Sequence, residues 1–496
     1  MLIIMTGLPG TGKTTVAGAL AREIGAAVLS TDKIRVERPG QPRFSRTAKG
    51  GVYERLFDRA GARLRAGENV ILDATFYLER LRRAGASVGR RAGVPVFIVE
   101  VVAPVPIVRR RMERRLRAAR GPRPAPFKVH AIIRASFESV RGRHFVVDTA
   151  APPAWRRDLV ALANTMRVIE NGRRIIAPLR RSRPLRLIQT HISWVLLDGA
   201  RAYKIKKPVR FSFVDYTTAA RRRAYCRREI EVNARLSTGL YLGVVPVRAD
   251  GRSVAFGGPG RTVDHAVEMR ELPQADRLDR LVARGRVGRE EIGRIVAELC
   301  AFHERTARAA PRYGSTPAIR RGFEHAFRLR SLIEREIGAG AVLDRVRRKV
   351  DGFLEARAAL FRERVRRGRI RRCHGDLRMS NIFLEGGEVR IFDAVEFNPG
   401  LASTDVAADV AYLAMDLRAC GKPRLSQDLV RAYVECSGDA GLREVTDFYE
   451  CYRALVRLLV ESLAIVDPTI ALSHKRRARR AARMYLALAD ELAQRL

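Results

Sequence analysis

Two folds in one chain are predicted: an α/β domain whose parallel sheet carries helices on both faces, then an α+β domain with a strand-rich small lobe and a helical large lobe. Three observations predict them. Strand-like and helical segments alternate over the first third of the sequence. A hairpin signal at Asp198-Gly199 opens the second part. From about residue 276 the pattern is mostly helical, interrupted by one stretch, "CHGDLRMSNIFLEGGEVRIFDAVEF", from Cys373 to Phe397.

The elements follow in order. "LIIMTG" is a short apolar strand running into a glycine loop, and "TTVAGALAREIG" is a helix stopped by Gly25. "AVLSTD", "NVILDATF", "VPVFIVEV" and "HFVVDT" read as further strands, and "VYERLFDRAGARLRAG" and "WRRDLVALANTM" as helices. The first domain is placed at 1–166. Arg/Pro-rich residues 167–186 are read as a linker, and 187–496 as the second domain, with a small lobe at 187–275 and a large lobe at 276–496. No apolar run approaches the ~18–20 residues of a membrane span, so no membrane partner is expected. The N-terminus lacks the basic lead and cleavage site of a signal peptide, and the six cysteines are scattered. Both fit a cytoplasmic protein with reduced thiols.

The net charge is +42 among 496 residues. Residues 1–166 carry +18 and the rest +24, so the excess is not one tail. Two readings stay open: a surface for an anionic partner such as nucleic acid, or arginine accumulated by compositional drift. Only 10 of the 95 basic residues are lysine. Lys13, Lys204, Lys206 and Lys207 are four of them, and they fall where phosphate chemistry wants a compact ammonium.

"GLPGTGKT", Gly7 to Thr14, matches G-x-x-x-x-G-K-[ST] in full. Backbone N–H groups of Gly7, Gly10, Thr11, Gly12 and the following Lys13, Thr14 and Thr15 can cradle the phosphates of ATP; Lys13 reaches the β/γ-phosphates and the Thr14 hydroxyl holds Mg²⁺. Asp73, ending "NVILD", is a Walker-B-type carboxylate for the Mg²⁺ shell. In "LSTDKIR", Asp32 is a general base for an acceptor hydroxyl and Arg35 a binder of the acceptor's anionic group. "VRRRMERRLRAARGPRPAPF" offers a lid, with Arg111, Arg114 and Arg115 equivalent by spacing. This set resembles the P-loop NTPase fold of small-molecule and polynucleotide 5′-kinases. The resemblance implies a hydroxyl-bearing small molecule or a nucleic-acid 5′ end as acceptor.

His374-Gly375-Asp376-x-x-x-x-Asn381 has the H-x-D-x-x-x-x-N spacing, with Asp376 as proton acceptor and Asn381 as Mg²⁺ ligand. Asp393, ending "VRIFD", takes the place of the second metal-binding Asp. "AYK" resembles the A-x-K of the kinase strand, which implies Lys204 as the phosphate-pairing lysine, and the spacing of Glu229 to Leu236, similar to that of aminoglycoside kinases, implies Glu229 as its helix partner in preference to Glu231. Asp405 and Asp409 are read as helix caps and braces, and His303 as a packing histidine. Gly375 stands where protein kinases have Arg. The segment resembles the aminoglycoside phosphotransferase family, a protein-kinase-like fold, over about residues 170–495. The resemblance implies ATP and Mg²⁺ as cofactors. With net +24, this half is a poor host for a polycationic aminoglycoside. The expectation is a bifunctional kinase; the rivals are one active domain governed by a silent ATP sensor, or an ATP-gated nucleic-acid-binding protein.

Overall fold

The computed structural model describes residues 1–37, 46–118, 126–142, 144–211, 213–251, 253–466 and 472–496. It forms two compact units, Met1–Pro178 with Pro208–Arg210, and Leu179–Lys207 with Phe211–Leu496.

The first unit is built on β1 (Leu2–Thr6), β2 (Ala26–Ser30), β3 (Asn69–Asp73), β4 (Val96–Val102) and β5 (Phe145–Asp148), in the order β2-β3-β1-β4-β5. All neighbours are parallel. A central strand buried on both faces needs apolar residues throughout, and β1, "LIIMT", supplies them. Its side chains alternate between two cores. Ile3 and Met5 pack with Val16, Leu20, Trp155 and Leu159, while Leu2 and Ile4 pack with Leu56, Phe76 and Val88.

The segment expected as a linker is helical instead. Helix Pro152–Asn171 runs past Met166 into a π turn, Gly172–Ile176, and a short helix, Ala177–Ser182. Ile175, Ile176 and Leu179 are buried, so an apolar stripe continues beneath the arginines that dominate the composition.

In the second unit, six antiparallel strands lie in the order Ser253–Phe256, Tyr241–Asp250, Arg261–Arg270, Arg201–Lys206, Ser193–Leu197, Arg186–Gln189. The hairpin turns at Asp198-Gly199, where the Asp198 carboxylate accepts from the amides of Ala200 (3.0 Å) and Arg201 (2.7 Å). Helix Ala219–Asn233 belongs to this lobe. The large lobe is helical around one core, crossed by helix Val406–Ala419, whose residues are buried almost all round. Among the described residues, no helix is long and apolar enough to cross a membrane.

Candidate functional sites

The first site grows from the end of β1. Gly7 has φ 138°, and a Cβ there would lie 2.3 Å from the Val101 carbonyl oxygen, so only glycine fits. Gly12, also left-handed, precedes helix Lys13–Ile24, which has no side-chain cap. Its first amides are therefore available to an anion. The register Met5↔Asp73 brings the end of β3 beside the loop. There the Thr14 hydroxyl donates to Asp73 Oδ2 at 2.8 Å. Lys13 Nζ donates to the Leu8 carbonyl at 2.9 Å. Burial lowers Lys13 to about 8, against the pull of Asp73 and Asp32. Burial likewise raises Asp73, against the Thr14 hydrogen bond and the Lys13 charge.

Ser30, not Asp32, caps the short helix Thr31–Val36, which leaves the Asp32 carboxylate without a capping task. It pairs with Arg35 at 2.8 Å, and its side chain is 84% exposed. Thr15 is exposed on the helix's first turn.

Sequence reasoning missed the supports of this loop. Thr149, just after β5, donates its hydroxyl to the Thr11 carbonyl at 2.7 Å. Arg111 donates to that hydroxyl (2.8 Å) and to the Thr149 carbonyl (2.6 Å). Arg111 is thus separated from Arg114 and Arg115, which are exposed. His130, on helix Phe127–Ala135, donates Nδ1–H to the Pro9 carbonyl at 2.8 Å. Residues 119–125, the Pro/Gly part of the expected lid, lie outside the described residues. At the end of β3, Phe76 has φ 42°. Arg82, buried, donates to the carbonyls of Phe76 (2.8 Å), Glu138 (2.9 Å) and Ser139 (3.1 Å). Thr149, His130 and Arg82 sit in no motif, so spacing carries no signal for them, and Arg111, expected as one of three equivalent lid arginines, is held on Thr149 instead.

The second site collects residues from segments far apart in the sequence. Lys204, on strand Arg201–Lys206, donates to Glu229 at 2.7 Å and also pairs with Asp393. Lys206, two residues on and on the same strand face, donates to the other Glu229 oxygen at 2.8 Å and pairs with Glu396. Tyr216 donates to Glu396 at 3.0 Å. Glu229 is fully buried, whereas the Glu231 side chain is 62% exposed and pairs with Arg228. Burial opposes ionisation throughout, and opposite charges outweigh it: Glu229 and Asp393 are held below the usual carboxylate range, and Lys204 above the usual lysine range. Asp393 itself has φ 66°, a costly conformation for a residue with a Cβ. Its amide donates to the Tyr241 hydroxyl, and the next amide, of Ala394, to Asn233.

The turn at His374 is fixed from the large lobe. Asp409, on helix Val406–Ala419, accepts from the amides of His374 and Gly375. His374 Nε2–H donates to the Phe392 carbonyl at 3.0 Å, which places the residues before Asp393. Asn381 Nδ2 donates to the Asp376 carbonyl at 3.0 Å. Arg378 pairs with the Asp376 carboxylate at 3.1 Å. Burial alone would raise Asp376; Arg378, with His374 and Arg457, outweighs it and holds the carboxyl below its ordinary value. Asp405 caps the helix through the Ala407 amide and pairs with buried Arg364. His303, Cys373 and Asp409 lie close together, but Asp409 is committed to two amides and burial pushes the Cys373 thiol up, so the group is a brace.

The model of the phosphotransferase enzyme family matches residues 199–448, half of the chain, and the chain belongs to that family. The model of an AAA domain matches residues 2–140. The first unit is an α/β fold of the P-loop kinase type, and the second a kinase-like phosphotransferase fold. An uncharacterized protein of Mycobacterium tuberculosis strain H37Rv is 36% identical over 276 residues, 55% of this chain and 54% of its own. One of Mycobacterium bovis matches to the same extent. The chain thus spans about half the length of the curated relatives it matches. Among solved structures, a putative kinase from Chloroflexus aurantiacus is 24% identical, covering 34% of this chain and 96% of that one, at TM-score 0.29. An APS kinase of Mycobacterium tuberculosis, in complex with AMPPNP and APS, is 22% identical, covering 32% and 96%, at TM-score 0.26.

Proposed function

We propose that this chain is a two-centre, ATP- and Mg²⁺-dependent phosphotransferase, each centre passing the γ-phosphoryl group to a hydroxyl of a small-molecule acceptor. The observation that supports this reading is the contact of Lys204 with Glu229 and Asp393, and of Asn381 with Asp376, whose charge acts on Asp393. In that centre Glu229 orients Lys204 toward the ATP phosphates. Asp376, kept ionised by Arg378, takes the acceptor's hydroxyl proton as the new O–P bond forms; the bond from the γ-phosphorus to its bridging oxygen breaks, and its electron pair leaves with ADP. Asn381 and Asp393 supply oxygen donors, the kind that suits Mg²⁺, as do Thr14 and Asp73 in the first unit. When bound, Mg²⁺ neutralises charge on the phosphates. In the first centre, the Gly7 and Thr11 amides are given to the Thr75 and Leu8 carbonyls, and the amides of Gly10 and of Gly12 to Thr15, with the Lys13 ammonium, hold the phosphates, while Asp32 accepts the proton and Arg35 binds an anionic group on the acceptor.

The test is transfer of labelled γ-phosphate from Mg-ATP to a panel of hydroxyl compounds and a 5′-hydroxyl oligonucleotide, by wild type, Lys13→Ala and Asp376→Ala. Two activities, each lost in one variant only, are expected. If one variant has no effect on any transfer, the unit it disables is a silent sensor. Label on the oligonucleotide would make the first centre's acceptor a nucleic-acid end.

A further inference from the structure

The second unit holds a cavity of about 140 Å³ that the proposed chemistry does not use. It is lined by Arg228, Val232 and Arg235 from helix Ala219–Asn233 and the residues after it, by Arg372, and by Val395 and Ala402 from the chain that follows Asp393. Residues 228 and 232 share one helical face, about 60–100° from Glu229, and Arg235 follows two residues past the helix's end. Arg372 ends strand Ile370–Arg372, two residues before His374.

The charge balance here is unusual. Two carboxylates also line the cavity, and both are already engaged. Glu231 pairs with Arg228 at 3.1 Å, and Glu396 with Lys206 and Tyr216. Arg235 donates Nε–H to the Val232 carbonyl at 3.0 Å and lies over the Phe302 ring. Arg235 and Arg372 both reach solvent at the mouth of the cavity, and among the described residues neither has an ion-pair partner. Partial desolvation at the cavity mouth, then the charges of Arg372 and Arg228, lower Arg235 below the usual arginine value although the residue is exposed. Like charges gathered in a concavity repel each other, and an anion between them reverses the sign of that interaction. The cavity has room for more than one water-sized group. Guanidinium forks match tetrahedral oxyanions, and two uncompensated cations match a dianion.

We propose that Arg235 and Arg372, with Arg228 at the rim, form a binding site for a phosphate-class dianion. The bound anion links the Glu229 helix to the strand that leads into the His374 turn. The site stands independently of the proposed activity.

The test is calorimetry of the full chain in Mg-ADP, which fills nucleotide phosphate sites, with inorganic phosphate and, separately, glycerol 3-phosphate. One saturable event is expected, weakened at least tenfold by Arg235→Gln and by Arg372→Gln, and unchanged by Arg227→Gln. Tighter binding of the monoester assigns the site to a phosphorylated metabolite, and tighter binding of phosphate to the free ion. No saturable event in the wild type, or one that both Gln variants leave intact, overturns the proposal. Melting temperatures without phosphate check the fold of each variant. Should a Gln variant misfold, Arg235→Lys and Arg372→Lys keep the charge but lose the fork, and must still weaken binding.

Discussion

Glu229 lies between two ammonium groups, with one oxygen on Lys204 and the other on Lys206. Removing one member of a buried charge network strands the others, at a cost of about 3–5 kcal/mol. Glu229→Ala is therefore expected to lower stability by about 3 kcal/mol in urea denaturation and to cut the second centre's transfer rate by about 100-fold. Glu231→Ala, two residues along and exposed, is expected to stay within about 0.5 kcal/mol. Arg82 offers a parallel in the first unit. Its guanidinium satisfies three backbone carbonyls while 1% exposed. Arg82→Ala leaves those carbonyls without it, and an equilibrium unfolding experiment should show a loss of about 3 kcal/mol.

The phosphate loop is an element whose geometry tolerates little change. Gly7→Ala drives a Cβ into the Val101 carbonyl in a left-handed conformation. The strain, about 2 kcal/mol or more, should weaken nucleotide binding at the first centre at least about 30-fold. Titration of a fluorescent ADP analogue in an Asp393→Ala background, with the second centre impaired, reads this directly. Elements of this kind were legible because glycine, lysine and hydroxyl residues at fixed spacing have one structural solution. The strands of the first unit were legible because a doubly covered parallel sheet needs unbroken apolar runs, as in "LIIMT". The stretch 167–186 was not, because its buried Ile175, Ile176 and Leu179 are outnumbered by arginines. Thr149, Arg111 and His130 support the loop from positions up to 138 residues distant, and no local pattern encodes such partners. Choosing Glu229 over Glu231 rested on a spacing to Leu236 that resembles that of aminoglycoside kinases, whereas the second lysine on that carboxylate needed the fold.

For the chain as a whole, 95 basic side chains face 53 acidic ones. Exposed pairs such as Arg59–Glu37 are solvated and screened by salt, so they add little to stability. Buried sets such as Arg364 with Asp405 and Asp439 are shielded from salt. The unpaired excess repels itself in the folded state, so raising NaCl from about 0.05 to about 0.3 M should raise Tm by roughly a few degrees. Removing Mg²⁺ with EDTA should abolish both transfers, and Mg²⁺ should restore both. The grip of Asp409 on the His374 and Gly375 amides reaches into dynamics. These N–H groups belong to an irregular turn, yet they are buried and bound to the most enclosed helix of the large lobe. In deuterated water they should keep their protons as long as core amides do, releasing them only when the whole lobe opens. The turn that carries Asp376 then behaves as part of the core of the large lobe, an irregular segment with the opening free energy of a helix.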